Sequence, residues 1–432
     1  MGGHNTSVPP APFTSPLAEQ LAEGVQERLV RYARVATQSD REGTDTPSSP
    51  QQWDLLRLLE GELRDLGLED VELDGQGYLF ATLPVTGEAP SAPVIGLLAH
   101  VDVSPDAPAE GVEPLIHREY DGGVIELPRN ETVLDPATVP GLAEAVGQDL
   151  VTSSGDTLLG ADDKAGIAEI VTAVAHLAAN PDLPRPTLRV GFTPDEEIGK
   201  GPHSFDVERF GARCAYTLDG SGLGELQAES FTGSQVEVRI RGVDVHPGTA
   251  KGILVNAARL AGELLAALPA ELTPEATEGR QGFLHPVEVR ADAVEATLTF
   301  IARDFEEELL AEHVDLVRRT AAEVVGRRPP ATVEVEVTPQ YPNMRDHLVP
   351  FPEVVANAEE ALRREGIEAV RSPIRGGTDG SQLSAMGLPT PNVFTGGHEY
   401  HSVREWASVQ EMAAAAATVV RLAGVWADNA TE

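Results

Sequence analysis

Short apolar runs that end in charged residues recur along this chain, and they constrain its fold more than any other feature. Val94–Leu98 runs into Ala99-His100-Val101-Asp102, and Thr187–Phe192 runs into Pro194-Asp195-Glu196-Glu197. Ala215–Leu218 ends at Asp219, and Asn392–Phe394 leads to Gly396-Gly397-His398-Glu399-Tyr400-His401. Runs this short and this apolar predict buried strands. Between them, apolar residues recur every three or four positions over Leu17–Ala36, Trp53–Leu66, Ala165–Ala178, Glu353–Glu365 and Ser408–Leu422, which predicts helices. Strands alternating with helices predict an α/β layer with a mostly parallel sheet. Ligands gather at the carboxyl ends of strands in such sheets, so the charged residues are expected to converge.

The pattern changes from about residue 231. Ser234–Arg241 alternates like a half-buried strand, and Ile253–Leu268 reads as a helix. Two strands (Leu284–Arg290, Val294–Ile301), a helix (Glu306–Val325) and a strand (Thr332–Thr338) complete a βαββαβ, ferredoxin-like order. The expected organisation is a discontinuous larger domain, 17–230 and 342–432, interrupted by a smaller α+β domain, 231–341. A disordered tail rich in Pro, Ser and Thr, residues 1–16, precedes both. Residues 105–158 are rich in Pro, Gly and Asp and read as loops with a hairpin.

Composition narrows the partners. The 432 residues carry 69 acidic and 32 basic side chains, a net charge of −37. So negative a chain repels nucleic acid and anionic membranes, and neither is an expected partner. The single Cys214 excludes an intrachain disulfide framework and a Cys-based zinc cluster. With no long uncharged apolar stretch and no secretory signal, a cytoplasmic location is expected. The only three lysines are Lys164, Lys200 and Lys251, each in a Gly-rich stretch.

The charged strand ends add up to two His and several carboxylates without thiolates, a donor set for Zn²⁺, with Mn²⁺ and Co²⁺ as rivals. Gly160-Ala161-Asp162-Asp163-Lys164, at the mouth of a predicted helix, adds to them. Four or five uncompensated carboxylates would raise one another's pKa values, and bound cations remove that problem. In His100-x-Asp102 the acid can orient the imidazole. In Glu196-Glu197 one side chain can ligate while its neighbour works on water. Each piece has a plainer reading: a surface His-x-Asp, a solvated Glu pair, an Asp-Asp helix cap. Their common position at strand and helix ends favours the metal.

Longer motifs carry a resemblance. Ala99-His100-Val101-Asp102-Val103-Ser104-Pro105-Asp106, Leu159-Gly160-Ala161-Asp162-Asp163-Lys164-Ala165-Gly166 and Phe192-Thr193-Pro194-Asp195-Glu196-Glu197-Ile198-Gly199-Lys200-Gly201 are three of them. Val245-His246-Pro247-Gly248-Thr249-Ala250-Lys251-Gly252, Tyr341-Pro342-Asn343-Met344-Arg345 and Pro373-Ile374-Arg375-Gly376-Gly377-Thr378-Asp379-Gly380 are the others. From about residue 20 to 425 the chain resembles the peptidase T family, tripeptide aminopeptidases within a larger group of di-zinc exopeptidases and deacylases. The resemblance implies two zinc ions per subunit, one held by His100, Asp162 and Asp219 and the other by Asp162, Glu197 and His401. It implies that Asp102 orients His100 and that Glu196 is the general base for a zinc-bridged water attacking a tripeptide's first peptide bond. It implies a homodimer built on the smaller domain, with His246 stabilising the oxyanion in the partner's site, and substrate held by Arg303, Asn343 and Arg375. Gly397-His398-Glu399-Tyr400-His401 stands where the family usually has Tyr-Asn-Tyr-His; position favours His401 as the ligand. A dipeptidase, carboxypeptidase or N-acyl amino acid deacylase of the same group is the alternative.

Overall fold

The computed structural model describes residues 12–87 and 92–430, folded as two compact units. One unit holds the chain up to Ala228, Asp346–Ser372 and the chain from Thr378 on; the other holds Glu229–Arg345 and Pro373–Gly377.

In the first unit, the Ser15 hydroxyl accepts from Ala18 N and starts the helix Pro16–Ala33, whose stripe Leu21, Val25, Leu29 and Tyr32 is buried. Of the expected disordered tail, residues 1–11 lie outside the described residues, and Pro16 is already helical. Eight strands form one sheet, in the order Glu69–Leu73, Leu79–Leu83, Leu188–Thr193, Ile95–His100, Cys214–Gly220, Asn392–Phe394, Glu225–Gln227, Val370–Arg371. The consecutive central strands from Leu188–Thr193 to Asn392–Phe394 are parallel. Glu225–Gln227 also pairs in parallel with Val370–Arg371, so the sheet is mostly parallel, with antiparallel pairings where Glu69–Leu73, Leu79–Leu83 and Glu225–Gln227 join it. The tight turn Asp74–Gly77 joining the first two leaves no room for the crossover that parallel pairing requires.

Helix Ala161–Ala179 packs on strands Ile95–His100 and Cys214–Gly220, and helices Pro16–Ala33 and Val409–Asn429 pack on that helix. The expected closing helix is therefore a buried one, with Met412 to Val419 at most 3 % exposed. A separate cluster of Tyr78, Phe80, Phe205 and Phe210 packs with Leu98 and Ala215. The 105–158 excursion forms the hairpin Ile125–Glu126 with Val133–Leu134 and lends strands to a small second sheet with Trp406–Ser408.

The second unit is a four-stranded antiparallel sheet in the order Phe283–Ala291, Glu295–Asp304, Thr232–Arg241, Thr332–Tyr341. Helices Ala257–Ala267 and Glu307–Gly326 cover it, burying Val236, Val238, Leu260, Leu264, Leu298 and Val317. In chain order this is βαββαβ. Residues 373–377, which sequence alone assigns to the larger domain, belong here: Ile374 N donates to Glu229 O and Phe231 N to Ile374 O. Among the described residues no helix is long and apolar enough to cross a membrane.

Candidate metal centre

Strand register brings the first ligands together. Leu98 pairs with Thr217 in parallel, so His100 and Asp219, each two residues further on, reach the same level and face. His100 Nε2 lies 3.6 Å from Asp219 Oδ1. Glycine at position 166 allows helix Ala161–Ala179 to sit closely on that strand, because a Cβ there would stand 2.0 Å from Leu218 O. The helix mouth thereby presents Asp162, with Oδ1 3.0 Å from His100 Nε2 and Oδ2 3.3 Å from His401 Nε2.

Glu196 and Glu197 open a short 3₁₀ turn after strand Leu188–Thr193, entered through Asp195 at φ 60°. That left-handed residue is pinned, its carboxylate accepting from Ser48 N at 2.7 Å and Gln52 Nε2 at 2.7 Å. Glu197 Oε2 lies 2.9 Å from His401 Nε2, while Glu197 Oε1 is buried without a hydrogen-bond partner. Two sets of donors result, His100–Asp162–Asp219 and Asp162–Glu197–His401, each with ligand atoms within 4.8 Å of one another and with Asp162 in both.

Asp102 is fully buried. Its carboxylate lies 3.3 Å from His100 Nδ1 and also accepts from the backbone N–H of Glu196 at 3.0 Å and of Glu197 at 3.1 Å. One acid thus ties the first imidazole to the strand end carrying Glu196. His398 is elsewhere: it stacks on Trp406 with centroids 4.0 Å apart and meets Glu411 Oε2 at 3.1 Å. His401, half-exposed, meets Asp106 Oδ2 at 3.3 Å through Nδ1, and Arg41 in turn holds Asp106 at 2.6 Å.

The electrostatics ask for a cation. Burial pushes Glu197 up to about 8 and Asp219 up to about 6, with the charge of Asp162 adding to both. Burial also raises Glu196, against the opposing pull of His100. Burial works against a charged His401, but hydrogen bonds to Asp162 and Glu197 outweigh it and lift the ring to about 11. Among the described residues the ion pairs of Asp162, Glu197 and Asp219 are with histidine, and these buried carboxylates with the unpartnered Glu197 oxygen fit a hard-to-borderline divalent ion.

The remaining sequence-predicted residues lie in the second unit. His246 is exposed; its Nδ1 accepts from Gly248 N at 3.1 Å, which leaves Nε2 to carry the proton. Arg303, Asn343 and Arg375 gather around the cluster of Phe231, Phe283, Phe305 and Tyr341. Part of their hydrogen-bonding capacity is engaged locally: Arg303 Nη1 donates to Ser234 O and Ala302 O, and Arg375 Nη1 and Nη2 donate to Gly279 O, Gln281 O and Thr277. Asn343 accepts from Ser230 N and Arg345 N and donates to Phe305 O.

Glu405, which accepts from Asp162 N, is a lone acid in a loop with no spacing to mark it, and Asp106, which meets His401, closes a quoted motif without a role that sequence alone assigns. Of the three lysines, Lys164 is buried and donates to Val35 O, Lys200 donates to Gly43 O, and Lys251 is exposed, so scarcity marked motifs rather than one common role.

Residues 160–424 match the model of peptidase family M20/M25/M40. Peptidase T of Bacillus licheniformis is 46 % identical over 405 residues, covering 94 % of this chain and 98 % of that one. Peptidase T of Geobacillus kaustophilus is 45 % identical over 406 residues, covering 94 % and 98 %. Among solved structures, aminopeptidase PepT of Bacillus cereus superposes with a TM-score of 0.73 at 24 % identity, covering 94 % of this chain and 99 % of that one. A tripeptidase of Staphylococcus aureus gives the same TM-score and coverage at 21 % identity. The chain belongs to peptidase family M20/M25/M40, and within it to the peptidase T family.

Proposed function

We propose that this chain is a divalent-metal-dependent aminopeptidase that releases the N-terminal residue of tripeptides. The observation that carries the reading is the pair of donor sets sharing Asp162, with Glu196 adjacent to one of their ligands. Peptidase T relatives covering nearly the whole chain supply the substrate class. We assign two zinc ions per subunit, one to His100, Asp162 and Asp219 and one to Asp162, Glu197 and His401, with Mn²⁺ or Co²⁺ able to substitute. Such ions, when bound, supply Lewis acidity toward the scissile carbonyl.

The protein's own residues divide the rest of the work. Glu196 takes the proton of the attacking water and returns it to the leaving amine. Asp102 serves both ends, orienting His100 and holding the Glu196 backbone. His246, protonated on Nε2, donates to the developing oxyanion; one such donor is typically worth about 2.7–4 kcal/mol. We place it in the partner's site of a cytoplasmic homodimer formed through the 231–341 domain, which would act as lid and dimerisation domain beside the catalytic one. Arg303, Asn343 and Arg375 hold the substrate, the two arginines bringing positive charge to its carboxylate.

Hydrolysis of a panel of di-, tri- and tetrapeptides and acylated amino acids, before and after chelation, tests the reading. Tripeptides cleaved from the N-terminus only when metal is present are expected. Preference for dipeptides or acylated amino acids would move the chain to another substrate class. Mixed dimers of a His246→Ala subunit with a Glu196→Ala subunit should regain part of the activity, and no regain would place His246 outside the partner's site.

A further inference from the structure

Glu405 lies in the loop that follows His401, in a position that nothing in the proposed reaction uses. Its side chain is 1 % exposed, and both carboxylate oxygens are engaged by backbone amides of one distant loop. Oε2 accepts from Leu159 N at 2.7 Å and Gly160 N at 2.8 Å, and Oε1 accepts from Asp162 N at 3.0 Å. Among the described residues no Arg, Lys or His forms an ion pair with it, so these three N–H groups are its direct partners, with the buried Lys164 attracting it from further off.

We propose that Glu405 is a positioning residue for the metal centre, a clamp on the Leu159–Asp162 backbone that sets where the Asp162 carboxylate stands. Asp162 is the one ligand common to both donor sets, so an error in its position is felt at both. Metal–ligand distances tolerate only about 0.2 Å, far less than a released loop would wander. Glu405 follows His401 by four residues, so the same short segment supplies one ligand and fixes the backbone of another. The coordinates of Asp162 and His401 are thereby referred to each other through the chain rather than through solvent. Asp102 performs the matching service for Glu196 and Glu197, through side-chain bonds to their N–H groups. The proposal rests on the metal reading above.

Equilibrium dialysis of the chelator-stripped full chain against Co²⁺ separates the two ideas. Wild type is expected to take up the ion, and Glu405→Gln, which sets an amide donor against backbone donors, to bind it about 10–100-fold more weakly. Circular dichroism matching the wild type would accompany that loss. Uptake by Glu405→Gln as tight as wild type would overturn the clamp and leave the metal reading intact; no uptake by wild type would overturn both. If Glu405→Gln does not fold, amide exchange in the metal-free wild type decides. Strong protection of Leu159, Gly160 and Asp162 supports the clamp, and exchange at the rate of exposed loops overturns it.

Discussion

Two acid-rich places in this protein solve the same problem in opposite ways. In the second unit, Glu229 meets Arg280 at 2.5 Å and Arg345 at 2.9 Å, and Glu306 meets Arg345 at 3.1 Å. The guanidinium groups hold both carboxyls below their usual range. At the strand ends of the first unit, the ion pairs of Asp162, Glu197 and Asp219 among the described residues are with imidazoles. Burial raises Glu197 and Asp219 there instead. Arginine balances the acids in the one place, whereas in the other imidazoles share the charge with donor sets that a divalent cation would fit. The difference marks the strand ends as the candidate metal site.

The steepest test of that contrast is Glu196→Ala. With both donor sets intact it should bind metal as wild type does, yet lose at least about 10²–10⁴ of its tripeptide turnover. Full activity in a metal-loaded variant would remove the general base from the scheme. Next, Asp162→Ala should lose both ions by elemental analysis, whereas Glu229→Ala should lose neither; equal metal content in the two would erase the contrast. His401→Ala should give up one ion and His398→Ala none, since His398 is committed to Trp406 and Glu411.

The pH dependence of the metal-free protein sharpens the comparison further. Glu197 and Asp219 have folded pKa values above their unfolded ones, so the folded chain holds more protons. Their stabilising contribution is full below about pH 4 and is lost as pH rises through about 6–8. His401, raised to about 11, acts in the same direction at higher pH. Melting temperature under chelation should therefore fall from about pH 6 to about pH 8, and saturating divalent metal should flatten the decline. A chelated protein as stable at the higher pH would contradict the buried, uncompensated cluster. The smallest effect belongs to the paired region: Arg280→Ala, at a half-exposed bridge, should cost about 0.2–1 kcal/mol by denaturant titration.

Much of the site was legible because strand ends announce themselves. An apolar run has to stop where the sheet stops, so His100, Glu196, Glu197 and Asp219 were marked by their neighbours. The helices were equally legible from their stripes, and Ala257–Ala267 began only four residues after its apolar run starts at Ile253. This sheet edge was harder: Glu225–Gln227 and Val370–Arg371 are too short to show a period. Segment 373–377 was assigned to the wrong neighbour because backbone pairing with Glu229 and Phe231 leaves no trace in its composition.

Residue types and their order by themselves determined the alternation of strands and helices, the βαββαβ insert and a thiolate-free donor set at strand ends. Periodicity and solubility are properties of a segment and its immediate neighbours, so one chain suffices to read them. Only the tertiary structure decided that Asp162 faces both histidines, that His401 rather than His398 enters the cluster, and that Glu405 secures the loop from a distance of more than two hundred residues. Those outcomes depend on strand register and on close approach of backbones, as at Gly166, where distances of an ångström separate a ligand from a bystander.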